Sequence, residues 1–450
     1  MPTNSDPFRA PGASADSAGA CRAHADQQLQ AIADSTLRTF ISVDAGGARL
    51  QADLCDQVAA NGGSLGPLHG QTVGVKDLID VAGLRTTMGS QQYQSRIATE
   101  DAAVVTSLRV AGAVILGKTN THEFAYGPTG DVSWSGPVRN PHDPDRISGG
   151  SSSGSAAAVA AGLCDLALGT DTSASVRVPA ALCGVVGLKP GYDLLSRHGV
   201  FTLSQSLDHV GTLSRDVAGS ARLLEVLTGR AGAYSATLER GVKGLRVGML
   251  QRFYGEFITD PVRRSHARAL QALRDSGAEI VEIDLPEIQD IFNAQQVVLR
   301  AEAYANHQSA LRQELPFSDE VRARLLTGKD ISAAEYLDAK GSQAAARAAF
   351  DRVLGLVDVL LTPTTGTVAP SLQERLTELD GQMHPTFWLL IRLTAPTNFT
   401  GHPSLSVPFG SSAGLPIGLQ LIGRFGDEAL LLRAGRALEH AAQHADTAPQ

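Results

Sequence analysis

Cysteine is scarce: Cys21, Cys55, Cys164 and Cys183 are the only four in 450 residues, and none forms a CxxC pair. That excludes a disulfide scaffold and makes a cysteine-based zinc site improbable. Sparse cysteine fits a reducing cytoplasm, where the chain is expected to reside. Cys164 and Cys183 sit in apolar runs and read as small buried hydrophobes. Aromatic residues make up only 5% of the chain, and no block of basic residues stands out. The net charge is −8, which argues against a nucleic-acid partner. Long unbroken apolar runs are also missing. Ile147–Cys164 is uncharged, but half of it is Ser or Gly; Leu393–Gly423 is broken by Pro396, Pro403, Pro408 and Pro416. Neither suits a lipid-facing helix, so no membrane segment is expected. The first residues have no apolar core and carry Asp6 and Pro7, so they do not read as a signal peptide. Residues 1–24 are expected to form a disordered tail.

Small residues dominate what is there: 46 are glycine, alanine recurs throughout, and 43% of the chain is hydrophobic. Such a composition packs backbone close to backbone. From Ala25, Leu29, Ile32, Ala33 and Leu37 recur at helical spacing. Thr72–Val75 is a β-branched run ending at Lys76. Residues 101–108 read as a helix, 113–117 as an apolar strand, 155–163 as a helix, and 166–169 as a strand. Strands alternating with helices predict an α/β fold with a largely parallel sheet. Residues 284–350 are strongly helical and read as an insert or cap, because strand patterns resume at 357–361, 404–408 and 418–422. A terminal amphipathic helix is expected over 427–441. The economical reading is one domain over 25–450.

Two common motifs match by letter. Gly112–Thr119 fits GxxxxGK[ST], but its four middle residues are themselves the apolar strand, which leaves no phosphate loop. Gly150–Gly154 fits GxSxG, but PHDPDRIS precedes it rather than a strand, so Ser152 is a weak nucleophile candidate. His440 and His444 lie one helical turn apart, and two histidines alone make an incomplete metal site.

What remains is serine density. Gly149–Ser155 runs directly into AAAVAAG, and Gly169–Ser175 leads into Val-Arg-Val-Pro179. A Ser/Gly loop at a helix start leaves backbone N–H groups free to meet negative charge. A strand–loop–helix crossing presents several consecutive N–H groups, the geometry an oxyanion hole needs.

GVKDLID, GKTNTHEFAYG, GGSSSGSAAAVAAGL and LALGTDTSASVRVPAALCGVVGLKP occur in that order. Together with LSQSLDHVGTLSRDV and GLPIGLQLIG, they resemble the amidase signature family over nearly the whole chain beyond the tail. The resemblance implies a large mixed, mostly parallel central sheet covered by helices on both faces. It implies a serine hydrolase of amide C–N bonds, with esters or carbamates (urethanes) as further substrates, and no cofactor or metal. Carried over residue by residue, Lys76 is the base, Ser151 the bridging serine on a cis peptide bond, and Ser175 the nucleophile. A serine hydroxyl needs a base near neutral pH, and a desolvated lysine loses its proton readily. The oxyanion hole falls to the backbone N–H groups of Thr172, Ser173, Ala174 and Ser175.

The sequence departs from the family where Ser173-Ala174 replaces a customary Gly-Gly. A non-glycine residue is strained there if φ must be positive. Met88, Tyr126 and Gly127 are candidate pocket residues, and the helical insert is a candidate pocket wall. The expected partners are a small amide, ester or carbamate and at most a second copy of the chain, as monomer or homodimer. The alternative is a catalytically impaired homologue, or one component of an amidotransferase that works with partners.

Overall fold

The computed structural model describes residues 19–447. In chain order the strands are β1 (Phe40–Val43), β2 (Thr72–Lys76), β3 (Val114–Thr119), β4 (Leu166–Asp171), β5 (Val186–Lys189) and β6 (His209–Ser214). There follow β7 (Arg246–Leu250), β8 (Glu279–Ile283), β9 (Val359–Pro363), β10 (Leu376–Leu379), β11 (Gln382–Pro385), β12 (Ser404–Ser412) and β13 (Leu415–Ile422). Eleven form one sheet in the order β1-β3-β2-β4-β6-β5-β12-β13-β9-β7-β8, and β10 pairs with β11 apart from it.

The sheet is mixed. The parallel pairings lie in two blocks, β3-β2-β4 and β9-β7-β8. The remaining neighbours are antiparallel. The physical reason is in the connections. A helix, Ala103–Val110 or Asp260–Asp275, carries the chain from β2 to β3 and from β7 to β8. A short turn at Ala413-Gly414 returns β12 into β13, and only antiparallel strands can be joined so tightly.

Helices cover both faces. Leu166 and Leu168 of β4 belong to one core cluster, with Leu223, Leu273 and Leu431 of outer helices, while Ala167 between them belongs to another, with Ala156–Val159. This is the two-residue alternation of a strand, with both faces covered. Helix Ser153–Ala160 consists of Ala, Gly, Ser and Val and is buried through Val159, and helix Arg177–Cys183 is buried at every residue. Small side chains let the first of these lie close against the sheet. A Cβ at Gly154 would stand 2.2 Å from the Thr39 carbonyl oxygen, so only glycine fits there.

Between β8 and β9 the chain forms four helices: Ile288–Arg312, Asp319–Leu326, Ala333–Gly341 and Gln343–Leu356. The first helix of the chain starts at Ala20, inside the stretch expected to be tail. Its start is secured by a partner distant in sequence: the N–H groups of Cys21 and Arg22 donate to the Asp56 carboxylate, each over 2.9 Å. Residues 1–18 of the expected tail lie outside the described residues. The final helix, Glu428–Thr447, runs past its expected end. Among the described residues, no helix is long and apolar enough to cross a membrane.

Candidate active site

Lys76 ends β2 with its side chain wholly buried. Its Nζ lies 2.7 Å from Ser151 Oγ and 2.8 Å from Thr170 Oγ1, with the Thr170 carbonyl at 3.4 Å. Burial lowers the Lys76 ammonium to about 7, against the opposing pull of the Asp171 and Asp208 carboxylates. The Gly150–Ser151 peptide bond is cis. Two groups after β3 hold the Ser151 carbonyl: the His122 N–H at 3.1 Å and Thr121 Oγ1 at 3.0 Å.

The loop after β4 is fixed from several sides. Asp171 takes a fork from Arg177, with Nε at 3.0 Å and Nη2 at 2.9 Å, and also accepts the Val176 N–H. Burial alone would raise the Asp171 carboxyl, but the charge and hydrogen bonds of Arg177 outweigh it and hold the group well below the usual range. Arg177 is itself fully buried and also reaches Thr397 Oγ1, Gln420 Oε1 and Asn398 Oδ1. Thr172 Oγ1 donates to Asp208 over 2.7 Å. Burial pushes the Asp208 carboxyl up to about 6, opposed by that hydrogen bond and by the N–H groups of Ser204 and Leu203.

The backbone N–H groups of Thr172, Ser173, Ala174 and Ser175 donate to no protein acceptor among the described residues. Neither Ser173 nor Ala174 has a positive φ. The two Cβ atoms that replace the family's glycines are therefore carried without left-handed strain.

A cavity of about 700 Å³ opens over this loop. Residues 172–175 line it, as do Tyr126 and Gly127, Phe292, Gln296 and Val297 of the long helix, and Trp388. Met88 does not line it, which corrects the sequence expectation. Its backbone carries a turn instead: its N–H donates to Asp77, its carbonyl accepts from Phe124, and its side chain is packed in the core at 1% exposure. Lys76 and Ser151 do not line the cavity either. The weaker candidates have other partners. Ser152 Oγ donates to the Thr170 carbonyl, and Lys118 pairs with Asp77 at 3.1 Å while wholly buried. His440 stands 4.0 Å from Glu239, and the His444 side chain lies outside the described residues. No group of three His, Cys, Asp or Glu residues among the described residues could hold a metal ion.

Sequence reasoning missed Thr170, Asp208, Gln295 and Asn398. Thr170 and Asp208 stand inside family motifs, GTD and LDHVG, which is a signal that could have found them. Gln295 and Asn398 arrive from remote segments with no local signature.

The Amidase family model matches residues 27–432. A glutamyl-tRNA(Gln) amidotransferase subunit from Koribacter versatilis is 38% identical, over 91% of this chain and 92% of its own. A solved amidase superposes with a TM-score of 0.87 at 36% identity, covering 94% of this chain and 96% of its own. A chain from a vestigial protein complex, bearing on the evolutionary origins of an s-triazine catabolic enzyme, superposes with a TM-score of 0.89 at 34% identity, over 93% and 95%. The chain belongs to the amidase signature family, whose members hydrolyse amide C–N bonds.

Proposed function

We propose that this chain is a serine hydrolase cleaving amide C–N bonds through an acyl-enzyme on Ser175, with Lys76 and Ser151 as its proton relay. The carrying observation is the contact of Lys76 Nζ with Ser151 Oγ at 2.7 Å, in the same buried region as the Ser175 loop that faces the cavity. At neutral pH much of Lys76 is uncharged and can accept a proton. Ser151 passes it the proton that leaves Ser175 Oγ as that oxygen attacks the carbonyl carbon. Negative charge builds on the carbonyl oxygen, and the N–H groups of residues 172–175 are free to meet it. The leaving nitrogen takes the proton back from the lysine through Ser151. Water then attacks the acyl-enzyme by the same route in reverse.

The walls favour an apolar substrate. Phe292, Val297, Leu299, Trp388 and Ile391 line the cavity, which suits an aryl or alkyl amide. The corresponding esters and carbamates present the same carbonyl. The reading extends to a cytoplasmic monomer or homodimer acting without cofactor or metal. The amidotransferase relatives favour a second reading, an amide-donor component of an amidotransferase that works only with partners. A hydrolysis panel decides between them: anilides, primary amides, ureas, carbamates and glutamine, offered to the purified chain. Turnover of an aryl or alkyl amide by the chain alone is expected. Turnover of none of them by the chain alone would overturn the reading.

A further inference from the structure

The long helix Ile288–Arg312 places Gln295 against the back of the Ser175 loop with no exposure to solvent. Its amide Nε2 donates to Ser173 Oγ over 2.8 Å and to the Thr172 carbonyl over 3.3 Å. Its Oε1 accepts from Gln296 Nε2 at 2.6 Å, and Gln296 lines the cavity. The Gln295 amide therefore has partners for both donors and for its acceptor. A buried primary amide is fully satisfied only in one orientation, so it fixes whatever it grips.

What it grips is the pair of residues that opens the run of unpartnered N–H groups. Asp208 holds Thr172 by its hydroxyl, and Arg177 Nη2 reaches the Ser173 carbonyl at 3.3 Å. These ties come from the residue before β6 and from the helix that follows the loop. Gln295 adds a tie from the helical segment between β8 and β9. The hydroxyl it uses exists only because Ser173 stands where the family commonly has glycine. A side chain has replaced backbone freedom, and a hydrogen bond restrains the loop in its place.

We infer that Gln295 is a positioning residue for catalysis: it orients the backbone N–H groups of Ser173, Ala174 and Ser175 toward the developing oxyanion through Ser173 Oγ and the Thr172 carbonyl. This inference rests on the acyl-enzyme reading above. Gln295 touches no reacting atom. Its loss acts on transition-state stabilisation rather than on substrate binding.

Gln295→Leu keeps the volume and removes the hydrogen bonds. On the best anilide of the panel, kcat is expected to fall about tenfold with KM within about twofold, a fraction of the ~10²–10³ that one lost oxyanion donor costs. A boronic acid that forms a tetrahedral adduct on serine is expected to bind about tenfold more weakly. The cycle with Ser173→Ala tests the route. In that background Gln295→Leu is expected to cost clearly less than in the native chain, because one of its two contacts with the loop is already gone. Gln295→Met supplies the same test if the leucine variant does not fold. Unchanged kcat in a folded variant, a rise confined to KM, or equal cost in both backgrounds overturns the inference. Failure of the acyl-enzyme reading itself looks different: the native chain would then show no turnover and no boronate binding.

Discussion

The backbone N–H of Ser152 donates to the carbonyl of Ser175 over 3.0 Å. This bond joins the two serine loops one residue beyond Ser151, so the proposed bridging serine and nucleophile are carried on backbones tied to each other. Ser152 itself is committed to that joint. Its Oγ donates to the Thr170 carbonyl and accepts from the Thr170 N–H.

Ser175→Ala is therefore expected to remove turnover by several orders of magnitude, up to the ~10⁶ seen for loss of a serine nucleophile. Ser152→Ala is expected to act on stability more than on chemistry. A fluorophosphonate adduct mapped by peptide mass spectrometry checks the assignment: it belongs on Ser175, and an adduct on Ser152 refutes it.

In the proposed relay, Lys76 sets the acid limb of the pH profile. Its pKa is lowered to about 7 by burial, so the neutral, proton-accepting form grows as pH rises through that value. The rate is expected to rise with it and then level off. Asp208 opposes the shift, so Asp208→Asn lowers the lysine further and moves the acid limb to lower pH. Lys76→Met abolishes amide hydrolysis, and Ser151→Ala costs ~10²–10⁴-fold, the worth of a positioned proton transfer. Native amide turnover in either variant would sink the relay.

The Asp171–Arg177 pair holds the loop rather than the proton. Asp171→Asn leaves the Arg177 guanidinium buried without its counter-charge, a loss of ~3–5 kcal/mol by analogy with other broken buried pairs. The pH dependence has a definite sign. The folded Asp171 carboxyl lies below its ordinary value of 3.8, so its contribution is complete above that value and is lost as pH falls toward the lower folded one. Denaturant midpoints of native and variant should differ at pH 7 and converge in acid.

The motif residues were legible because their chemistry is tied to short local strings. Lys76 ends a strand that its own β-branched run announces, and each serine segment carries its glycines and its following helix. Met88 was misplaced because nearness in sequence to a motif does not fix where a side chain points. Gln295 was illegible for another reason. On a helix, a glutamine facing a loop reads the same as one facing water, and only the placement of that helix against the loop after β4 distinguishes them. The start of the first helix depended likewise on Asp56, which lies too far along the chain for local pattern to find. The alternation of strands and helices located the β3-β2-β4 block, but β7 and β8 of the other parallel block were not read, and the antiparallel centre of the sheet depended on how β5, β6, β12 and β13 return.

Ser173 and Ala174 remain the positions where this chain leaves its family, and replacing both by glycine tests what they do. Both φ values are ordinary, so glycine relieves no left-handed strain. It does remove two Cβ atoms from the cavity floor and the hydroxyl that Gln295 grips. The bulk change should redistribute rates across the substrate panel, favouring larger groups beside the scissile bond. The added backbone freedom should cost some of the loop's orientation. Turnover of the best substrate is expected to change by less than about tenfold, under the ~10²–10³ worth of one oxyanion donor. A uniform gain of about a hundredfold on every substrate would mean that a donor had been recovered. The native loop would then be a damaged oxyanion hole, and the chain an impaired homologue of the enzymes it resembles.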